Sequence, residues 1–183
     1  MAVPFKAPVK DITFGYEVID SYNILNKISE FSDFSEDIVI PTMEECAKFS
    51  EEVLAPINAI GDQQGATIDN GVVKMPQEFV DAYKKFAEAG WASISLPEEI
   101  GGGGQPITLS GGTLEILSTA NLAFGLAPGL SAGAISAINF HGSQEQKDTF
   151  LPKLVSGEWT GTMNLSEPQS GSDLGTITTK AEK

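Results

Sequence analysis

The residues most able to do chemistry lie near the end of the chain, between Gly161 and Gly175 (GTMNLSEPQSGSDLG). Over 160–166, Thr, Asn and Ser alternate with Gly, Met and Leu, and this period of two predicts a strand. Glu167-Pro168 ends the strand, because proline cannot donate to a β ladder. The small residues that follow predict a loop that exposes its backbone N–H groups.

Hydroxyls are the side-chain groups that this loop offers to a ligand. Ser166 and Ser172 each carry a hydroxyl donor, and Gly171 lets a ligand come close to the backbone because glycine has no Cβ. Such groups suit a planar or phosphorylated ligand. A Ser-Gly-Ser loop also forms ordinary turns, and the turn is the more common use, so composition alone leaves both interpretations open.

The same stretch closely resembles the flavin-binding signature of the acyl-CoA dehydrogenase family, which is a strand, Thr or Ser, Glu-Pro, two small residues, then Gly-Ser-Asp. LPEEIGG at 96–102 resembles the family's loop between N-terminal helices. HGSQEQK at 141–147 and LPKLVSGEW at 151–159 resemble its approach to the β domain. FKAPVKD at 5–11 and GTMNLSEPQ at 161–169 resemble a narrower branch that includes 3-(methylthio)propionyl-CoA dehydrogenases. The resemblance covers the whole chain.

This resemblance implies an FAD cofactor and assigns site residues. Met163 and Leu165 present backbone groups to the flavin, and Ser166 gives its hydroxyl to the pyrimidine side of the ring. Donors there stabilise the negative charge that collects as the ring accepts hydride. Ser172 lies near the flavin diphosphate and the acyl-CoA, so it is assigned to both cofactor and substrate binding. Most family members have Thr where this chain has Ser166, so the hydroxyl is kept.

Two acidic residues of the signature, Glu167 and Asp173, are interpreted as structural. A carboxylate beside a diphosphate repels it unless the side chain turns away. We therefore expect both side chains to point into the loop and not toward the cofactor.

The resemblance also implies a reaction, the α,β-dehydrogenation of an acyl-CoA thioester, with 3-(methylthio)propionyl-CoA as one substrate. A Glu carboxylate removes the α-proton on the face opposite the flavin. In the family this base lies in a C-terminal helical domain that the chain does not reach, so no catalytic residue is assigned. We expect the chain by itself to be inactive. The implied partner is an electron acceptor such as a flavoprotein, and the complete protein is expected to be a homo-oligomer.

Two other functions stay open at this point. The chain is alternatively a natural short paralogue that serves binding or assembly without catalysis. An acyl-CoA oxidase shares the fold of the family and differs by reacting with O₂. The DNA downstream of Lys183 would separate the first alternative from the dehydrogenase, because only the dehydrogenase requires an open frame there that encodes the remaining β strands and a C-terminal helical bundle.

Apolar residues at helical spacing dominate the rest of the chain, so the fold is predicted to be mainly α. We expect an acyl-CoA dehydrogenase-type N-terminal helical bundle followed by the first strands of an incomplete β domain. The predicted division is an N-terminal extension (1–34), a helical domain (35–158) and a truncated β segment (159–183). About 25 residues cannot form a self-sufficient sheet.

The individual elements follow from periodicity and from helix start signals. Three helices are predicted with both ends, at 16–31, 129–140 and 143–155. Three more are predicted by their starts: one at Asp37 or at a capping box on Thr42, one at Pro76 and one at Thr108. A loop is predicted at 61–71 and a second β-prone run at 176–179. Met43, Cys46, Ala47, Ser50, Val53 and Leu54 form one apolar stripe, on which Cys46 is interpreted as a buried small hydrophobe. His141 is interpreted as a helix C-terminal residue with no catalytic role.

Composition excludes several functions. The 183 residues carry a formal charge of −14, and all 11 basic residues are lysines, which argues against nucleic-acid binding. One cysteine and one histidine exclude a disulfide framework and Cys-rich or His-pair metal sites, so no metal is expected. The first residues lack the apolar segment of a signal peptide, so a cytoplasmic location is expected.

Two further segments have alternative interpretations. The uncharged segment 116–144 is too polar and too interrupted for a membrane span, so two helices inside a soluble bundle are expected. Within it, 128–133 is either a lining of the acyl pocket, by resemblance, or plain helix packing. Gly101–Gly104 has no Lys-Ser or Lys-Thr after it, so a flexible loop between helices is favoured over a phosphate loop.

Overall fold

The computed structural model describes residues 4–182, and these are mainly α-helical, as predicted. The helices are α1 (Val9–Val18), α2 (Ser21–Leu25), α3 (Glu36–Phe49), α4 (Ala55–Gln64), α5 (Gln77–Glu88), α6 (Ile107–Ala120), α7 (Leu122–His141) and α8 (Gln144–Val155). A π-helical turn (Ser50–Leu54) joins α3 to α4, and short 3₁₀ turns lie at Ser29–Phe31, Trp91–Ser93, Glu98–Ile100 and Leu174–Thr176. The strands β1 (Thr67–Asp69) and β2 (Val72–Lys74) form an antiparallel hairpin between α4 and α5.

The main core lies between α3 and α6, with α1, α5 and the start of α7 packed around it. The predicted stripe is confirmed, because Met43, Cys46, Ala47, Ser50 and Leu54 are buried and the sixth member, Val53, is half-buried against the same core. Burial raises the pKa of the Cys46 thiol to about 12, so this side chain behaves as a small hydrophobe and not as a nucleophile. The interpretation of Cys46 is therefore confirmed.

The predicted continuous helix over 16–31 is wrong. The chain breaks after α1, where Asp20 adopts the left-handed region with φ 55°, and α2 then starts at Ser21. The Asp20 carboxylate accepts a hydrogen bond from Asn23 Nδ2 at 2.7 Å, which stabilises the break locally. The break also brings Tyr22 onto Tyr16, with ring centroids 6.1 Å apart. Apolar packing of these rings therefore overrides the helical period.

The start of α3 agrees with Asp37 to within one residue, but the predicted capping box at Thr42 is wrong. Ser35 precedes the helix, and Thr42 lies inside it, where its hydroxyl donates to the Ile38 carbonyl at 2.7 Å. A β-hydroxyl in a helix interior can bond to the preceding turn in this way, so the same residue type fits both positions.

The predicted loop at 61–71 is only partly right. Pro56 lies in the first turn of α4, where proline is tolerated, and the helix continues to Gln64. The hairpin follows at once, and its tip is Asn70-Gly71 with φ values of 50° and 81°. Asn-Gly favours this two-residue turn, because both residues tolerate positive φ.

Gly101–Gly104 forms an ordered loop and not the flexible one predicted. The N–H groups of Gly102, Gly103 and Gly104 donate to the carbonyls of Pro97, Ser93 and Leu96 at 2.9–3.0 Å. A Cβ on Gly102 would lie 2.1 Å from the Leu96 carbonyl oxygen. The glycines are therefore required for close backbone packing, and their N–H groups are not free to bind phosphate.

The last three helices pack in order, α6 on α7 and α7 on α8. The starts of α6 and α8 agree with the prediction to within one residue, but α7 starts at Leu122 and not at the predicted 129. Asn121 separates α6 from α7; its side chain accepts from Phe124 N and donates to the Leu54 carbonyl, both at 3.1 Å. Ser143 and Gln146 form a complete capping box at the start of α8, where the sequence predicts that a helix begins. His141 is the last residue of α7, which confirms its predicted position at a helix C-terminus.

Helix α7 is less buried than predicted. It has 20 residues with a mean hydropathy of 1.4, and only 22% of it is buried within the chain. By length and composition it is the one helix of residues 4–182 that is able to cross a membrane. Two separate helices occupy the uncharged segment, as expected, but the absence of a membrane span stays a prediction.

The strands predicted at 160–166 and 176–179 do not form within residues 4–182. The first segment is irregular, and the second follows the 3₁₀ turn Leu174–Thr176. A strand needs a partner, and this part of the chain offers only an isolated bridge between Glu167 and Ser170. The division at 34/35 and 158/159 stays a prediction, and its outer ends, residues 1–3 and 183, lie outside the described residues.

The close contact between α3 and α6 predicts that alanine substitutions at two neighbouring glycines of α6 change the free energy of unfolding in opposite directions. A Cβ on Gly112 would lie 2.4 Å from Met43 Cε and 3.0 Å from the Tyr16 hydroxyl, whereas a Cβ on Gly111 meets nothing within 4 Å. We expect Gly112→Ala to lower the free energy of unfolding by about 1–2 kcal/mol through overpacking. Gly111→Ala should raise it by about 1 kcal/mol through helix propensity. Urea unfolding followed by circular dichroism measures both, and equal effects would contradict this account.

The buried position of Asn121 predicts that losing this helix cap lowers the free energy of unfolding more than losing an exposed cap does. Asn121→Ala leaves the buried Phe124 N–H without its acceptor, so we expect a loss of about 2 kcal/mol in the free energy of unfolding. Ser143→Ala, which removes an exposed cap, is the matched control and should cost about 1 kcal/mol. Thermal unfolding of the two variants would refute the role of Asn121 if Ser143→Ala proved the more damaging.

Candidate functional site

The candidate loop is attached to the bundle where the chain crosses α7. Ser131, which is buried on α7, accepts a hydrogen bond from Gly161 N at 3.1 Å and donates to the Ala127 carbonyl at 3.2 Å. A Cβ on Gly161 would lie 2.5 Å from Ala134 Cβ and 3.1 Å from Ser131 Cα. Only glycine therefore allows the chain to pass this close to the helix. This contact fixes where the residues after Gly161 begin.

A tight turn follows at Glu167-Pro168-Gln169-Ser170. Glu167 N donates to the Ser170 carbonyl at 2.8 Å, and Ser170 N donates to the Glu167 carbonyl at 3.0 Å. Proline is favoured at the second position of such a turn because its φ is already near −65°. The turn brings the residues on either side of it, Ser166 and Gly171, to the same end of the loop.

The four predicted cofactor-binding residues all lie on the surface of this loop. Met163 is 66% exposed and Leu165 46% exposed, and Ser166 and Ser172 are exposed as well. Within residues 4–182, no hydrogen bond uses the hydroxyls of the two serines or the N–H groups of 163, 165 and 166. These donors are therefore available to a ligand.

This donor set fits a flavin, although it tests none of the four assignments. A flavin ring carries acceptor atoms along its pyrimidine side, and its diphosphate accepts hydrogen bonds from hydroxyls and N–H groups. Unengaged donors on an ordered loop match those acceptors. Open space around Gly171, where a Cβ meets nothing within 4 Å, leaves room for an approaching group.

The two acidic side chains of the loop turn inward, as expected. Glu167 accepts five hydrogen bonds, from the N–H and hydroxyl groups of Thr178 and Thr179 and from Gln169 Nε2. These donors hold the pKa of the Glu167 carboxyl well below its usual range. Asp173 Oδ1 accepts from Gly175 N at 3.1 Å. Both carboxylates therefore accept hydrogen bonds from the loop, Glu167 through both oxygens and the exposed Asp173 through one.

Three residues with a part in this loop have no signal in the sequence. Thr178 and Thr179 are predicted as part of a strand, but they serve as partners of Glu167. Ser170 is 1% exposed, and its hydroxyl donates to the Asp173 carbonyl at 2.8 Å. Periodicity does not reveal a turn residue whose side chain folds inward. The signature gives the residue types of the loop but not which side chains bond to each other.

A separate apolar cleft of about 610 Å³ lies between α5 and the start of α7, close to the point where the chain leaves α8. Phe79, Tyr83 and Phe124 form much of its wall. Pro128 and Gly129 line a smaller cavity of about 100 Å³ beside α6. The segment 128–133 thus contributes to packing, and its part in an acyl pocket stays a prediction.

Comparison with known proteins bears on the identity of the chain. Residues 42–158 match the family model described as "Acyl-CoA dehydrogenase, N-terminal domain". The chain is 40% identical over 173 residues to 3-methylmercaptopropionyl-CoA dehydrogenase of Ruegeria pomeroyi. The matched region covers 94% of this chain and 29% of that protein. It is 35% identical to mitochondrial isovaleryl-CoA dehydrogenase of Bos taurus, over 75% of this chain and 30% of the relative. The chain thus spans about three-tenths of the length of these relatives.

Solved structures show the same fold. An acyl-CoA dehydrogenase of Bacillus anthracis, solved in complex with FAD, superposes with a TM-score of 0.62 at 27% identity, over 80% of this chain and 23% of that one. Butyryl-CoA dehydrogenase of Megasphaera elsdenii gives a TM-score of 0.63 at 23% identity, over 78% of this chain and 36% of that one. Since the family model covers well over half of the sequence and the fold agrees, the chain belongs to the acyl-CoA dehydrogenase family.

Proposed function

We propose that this chain forms the first part of the flavin and acyl-CoA site of an FAD-dependent acyl-CoA dehydrogenase. One observation carries the proposal: the unengaged donors at 163–166 and at Ser172 lie on an ordered loop that is attached to α7 through Gly161. The family supports FAD as the cofactor, because the Bacillus anthracis relative was solved as a complex with it.

The proposed reaction is the α,β-dehydrogenation of an acyl-CoA thioester. The name of the Ruegeria pomeroyi relative, at 40% identity, supports 3-(methylthio)propionyl-CoA as the substrate. A broader role in fatty acid β-oxidation, a flavoprotein as electron acceptor, a homo-oligomeric complete protein and a cytoplasmic location belong to the same proposal.

The contribution of the chain to this chemistry is electrostatic. When bound, FAD supplies the hydride acceptor. The N–H groups of Met163 and Leu165 and the hydroxyl of Ser166 donate toward the pyrimidine side, where negative charge collects during the reaction. Donors that are already fixed before the reaction stabilise such charge at little cost in reorganisation. Ser172 donates to the diphosphate and orients the bound groups.

No acidic residue of the chain is assigned as the base that removes the α-proton. Glu167 accepts five hydrogen bonds from its own loop, so it is held ionised but is not free to reach a substrate. In the proposal, the base comes from a region that relatives of greater length contain and this chain does not.

The hydroxyl at position 166 gives the first test. In the protein expressed from the complete reading frame, Ser166→Ala should lower the rate of flavin reduction by acyl-CoA about 100-fold, since one donor to developing charge is lost. Ser166→Thr keeps the hydroxyl and is the matched control, with a rate within about threefold of the original. Stopped-flow absorbance of the flavin measures both rates. If Ser166→Ala reduced the flavin as fast as Ser166→Thr, the proposed role of the hydroxyl would be wrong.

A second test uses the 183-residue chain alone. We expect no electron transfer from acyl-CoA to an artificial acceptor, because the chain carries the donors and not the base. The protein from the complete reading frame, assayed at the same concentration with added FAD, is the control. Turnover by the 183-residue chain would exclude the assignment of the base to another region.

A further inference from the structure

We infer that Glu167 is a positioning residue of the cofactor loop, whose carboxylate ties residues 178–179 to the Glu167–Ser170 turn and so fixes Ser166 and Ser172 relative to each other. The inference rests on the proposed function for its ligand, FAD. It goes beyond that function because it assigns the placement of the donors to a side chain that touches neither cofactor nor substrate.

The carboxylate uses both of its oxygens across a separation of eleven or twelve residues. Oε2 accepts from Thr178 N at 3.0 Å, from Thr178 Oγ1 at 2.8 Å and from Gln169 Nε2. Oε1 accepts from Thr179 N at 2.8 Å and from Thr179 Oγ1. Hydrogen bonds to an ionised acceptor are the stronger kind, so one side chain closes the loop between the turn and its far limb.

The residues between these two anchor points are connected to them by further hydrogen bonds. Thr176 Oγ1 donates to the Asp173 carbonyl at 2.9 Å, and the buried Ser170 hydroxyl donates to the same carbonyl at 2.8 Å. Asp173 directly follows Ser172, and Glu167 directly follows Ser166. The two predicted donors are thus next to residues that this network holds in place, while their own hydroxyls stay free.

The charge of the carboxylate, and not only its shape, is required. A carboxylate accepts on both oxygens, whereas a glutamine of the same size accepts on one and presents donors on the other. Five donors face Glu167, and all come from Gln169, Thr178 and Thr179. Among residues 4–182, the three ion pairs are Lys6–Glu51, Lys74–Asp69 and Lys153–Glu158, so no lysine pairs with Glu167.

The sign of the pH dependence follows from the lowered pKa. The folded loop favours the ionised form of Glu167, so its contribution to loop stability is complete above the ordinary Glu pKa of 4.5. It is lost only as the pH falls further, through the depressed value. The loop should therefore stay closed at a pH where an exposed glutamate is already protonated.

The first arm of the test observes the loop directly in the ¹⁵N-labelled 183-residue chain. The amide resonances of Thr178 and Thr179 are followed by NMR from pH 7 to pH 2, together with their hydrogen exchange rates. We expect their titration midpoints to lie below 4.5, and Glu167→Gln to raise both exchange rates about tenfold or more. Glu182→Gln makes the same change of charge at an exposed residue of the same limb and should leave both amides unchanged.

The second arm measures FAD affinity by fluorescence quenching in the protein from the complete reading frame. We expect Glu167→Gln to weaken FAD binding about tenfold or more, and Glu182→Gln to leave it unchanged. Thr178→Val removes one donor to Glu167 and should have an intermediate effect. Glu167→Asp keeps the charge but shortens the side chain, so partial rescue relative to Glu167→Gln would identify the charge as the cause.

The two arms separate the inference from the function on which it rests. If the original protein binds no FAD while the amides of Thr178 and Thr179 respond as expected, the loop closure is right and the proposed function is wrong. If FAD binds and Glu167→Gln binds it equally well, the positioning role is wrong and the proposed function stands. A titration midpoint at 4.5 for both amides overturns the inference whatever the FAD result.

Discussion

The end of the chain depends on hydrogen bonds that replace strand pairing. Residues after Gly161 have a strand-like sequence, yet residues 4–182 provide no strand beside them, so their backbone groups need other partners. Ser131 on α7 supplies the first, by accepting from Gly161 N. The Glu167 carboxylate supplies partners for the N–H groups of Thr178 and Thr179. Order in the loop therefore comes from one contact with the bundle, from the charged side chain of Glu167 and from the hydrogen bonds within the Glu167–Ser170 turn and around the Asp173 carbonyl.

The contacts of Gly161 and Glu167 have different effects: the first attaches the loop to α7, and the second fixes the conformation of the loop. The Gly161 contact has no room for a side chain, so it sets how closely the loop approaches α7. The Glu167 contacts act within the loop and set its internal spacing, whatever its distance from the helix. Donors on a loop are positioned less precisely than donors on a helix or strand. A loop that presents ligand-binding groups therefore needs both the attachment to the helix and the internal hydrogen bonds.

The sequence predicted those features that depend on neighbouring residues. Ser143 and Gln146 form their capping box because the two side chains lie three residues apart on any helix. The buried stripe around Met43 and Cys46 followed from the helical period in the same way. Inward-turned carboxylates at Glu167 and Asp173 follow from electrostatics once the family resemblance implies a diphosphate beside them.

Features that depend on distant residues were missed. The break at Asp20 is stabilised by packing of Tyr16 on Tyr22, and no local pattern reports that contact. The glycines of 101–104 look flexible by composition, but Gly102 and its neighbours donate to carbonyls of the preceding turn. Thr178 and Thr179 have a strong β propensity, which reflects how well threonine packs in a sheet. It does not indicate that their N–H and hydroxyl groups donate to a carboxylate.

The charge of the chain constrains how it would bind the anionic cofactor of the proposed function. With a net charge of −14 and no arginine, the chain has little positive charge to offer a diphosphate. Neutral N–H and hydroxyl donors then have to supply the attraction, and nearby carboxylates must not oppose it. The loop meets both conditions, since Ser166 and Ser172 keep their donors free while Glu167 and Asp173 are occupied by amides. The acidic residues of the signature thus organise the loop through the same charge that, left pointing outward, would repel the ligand.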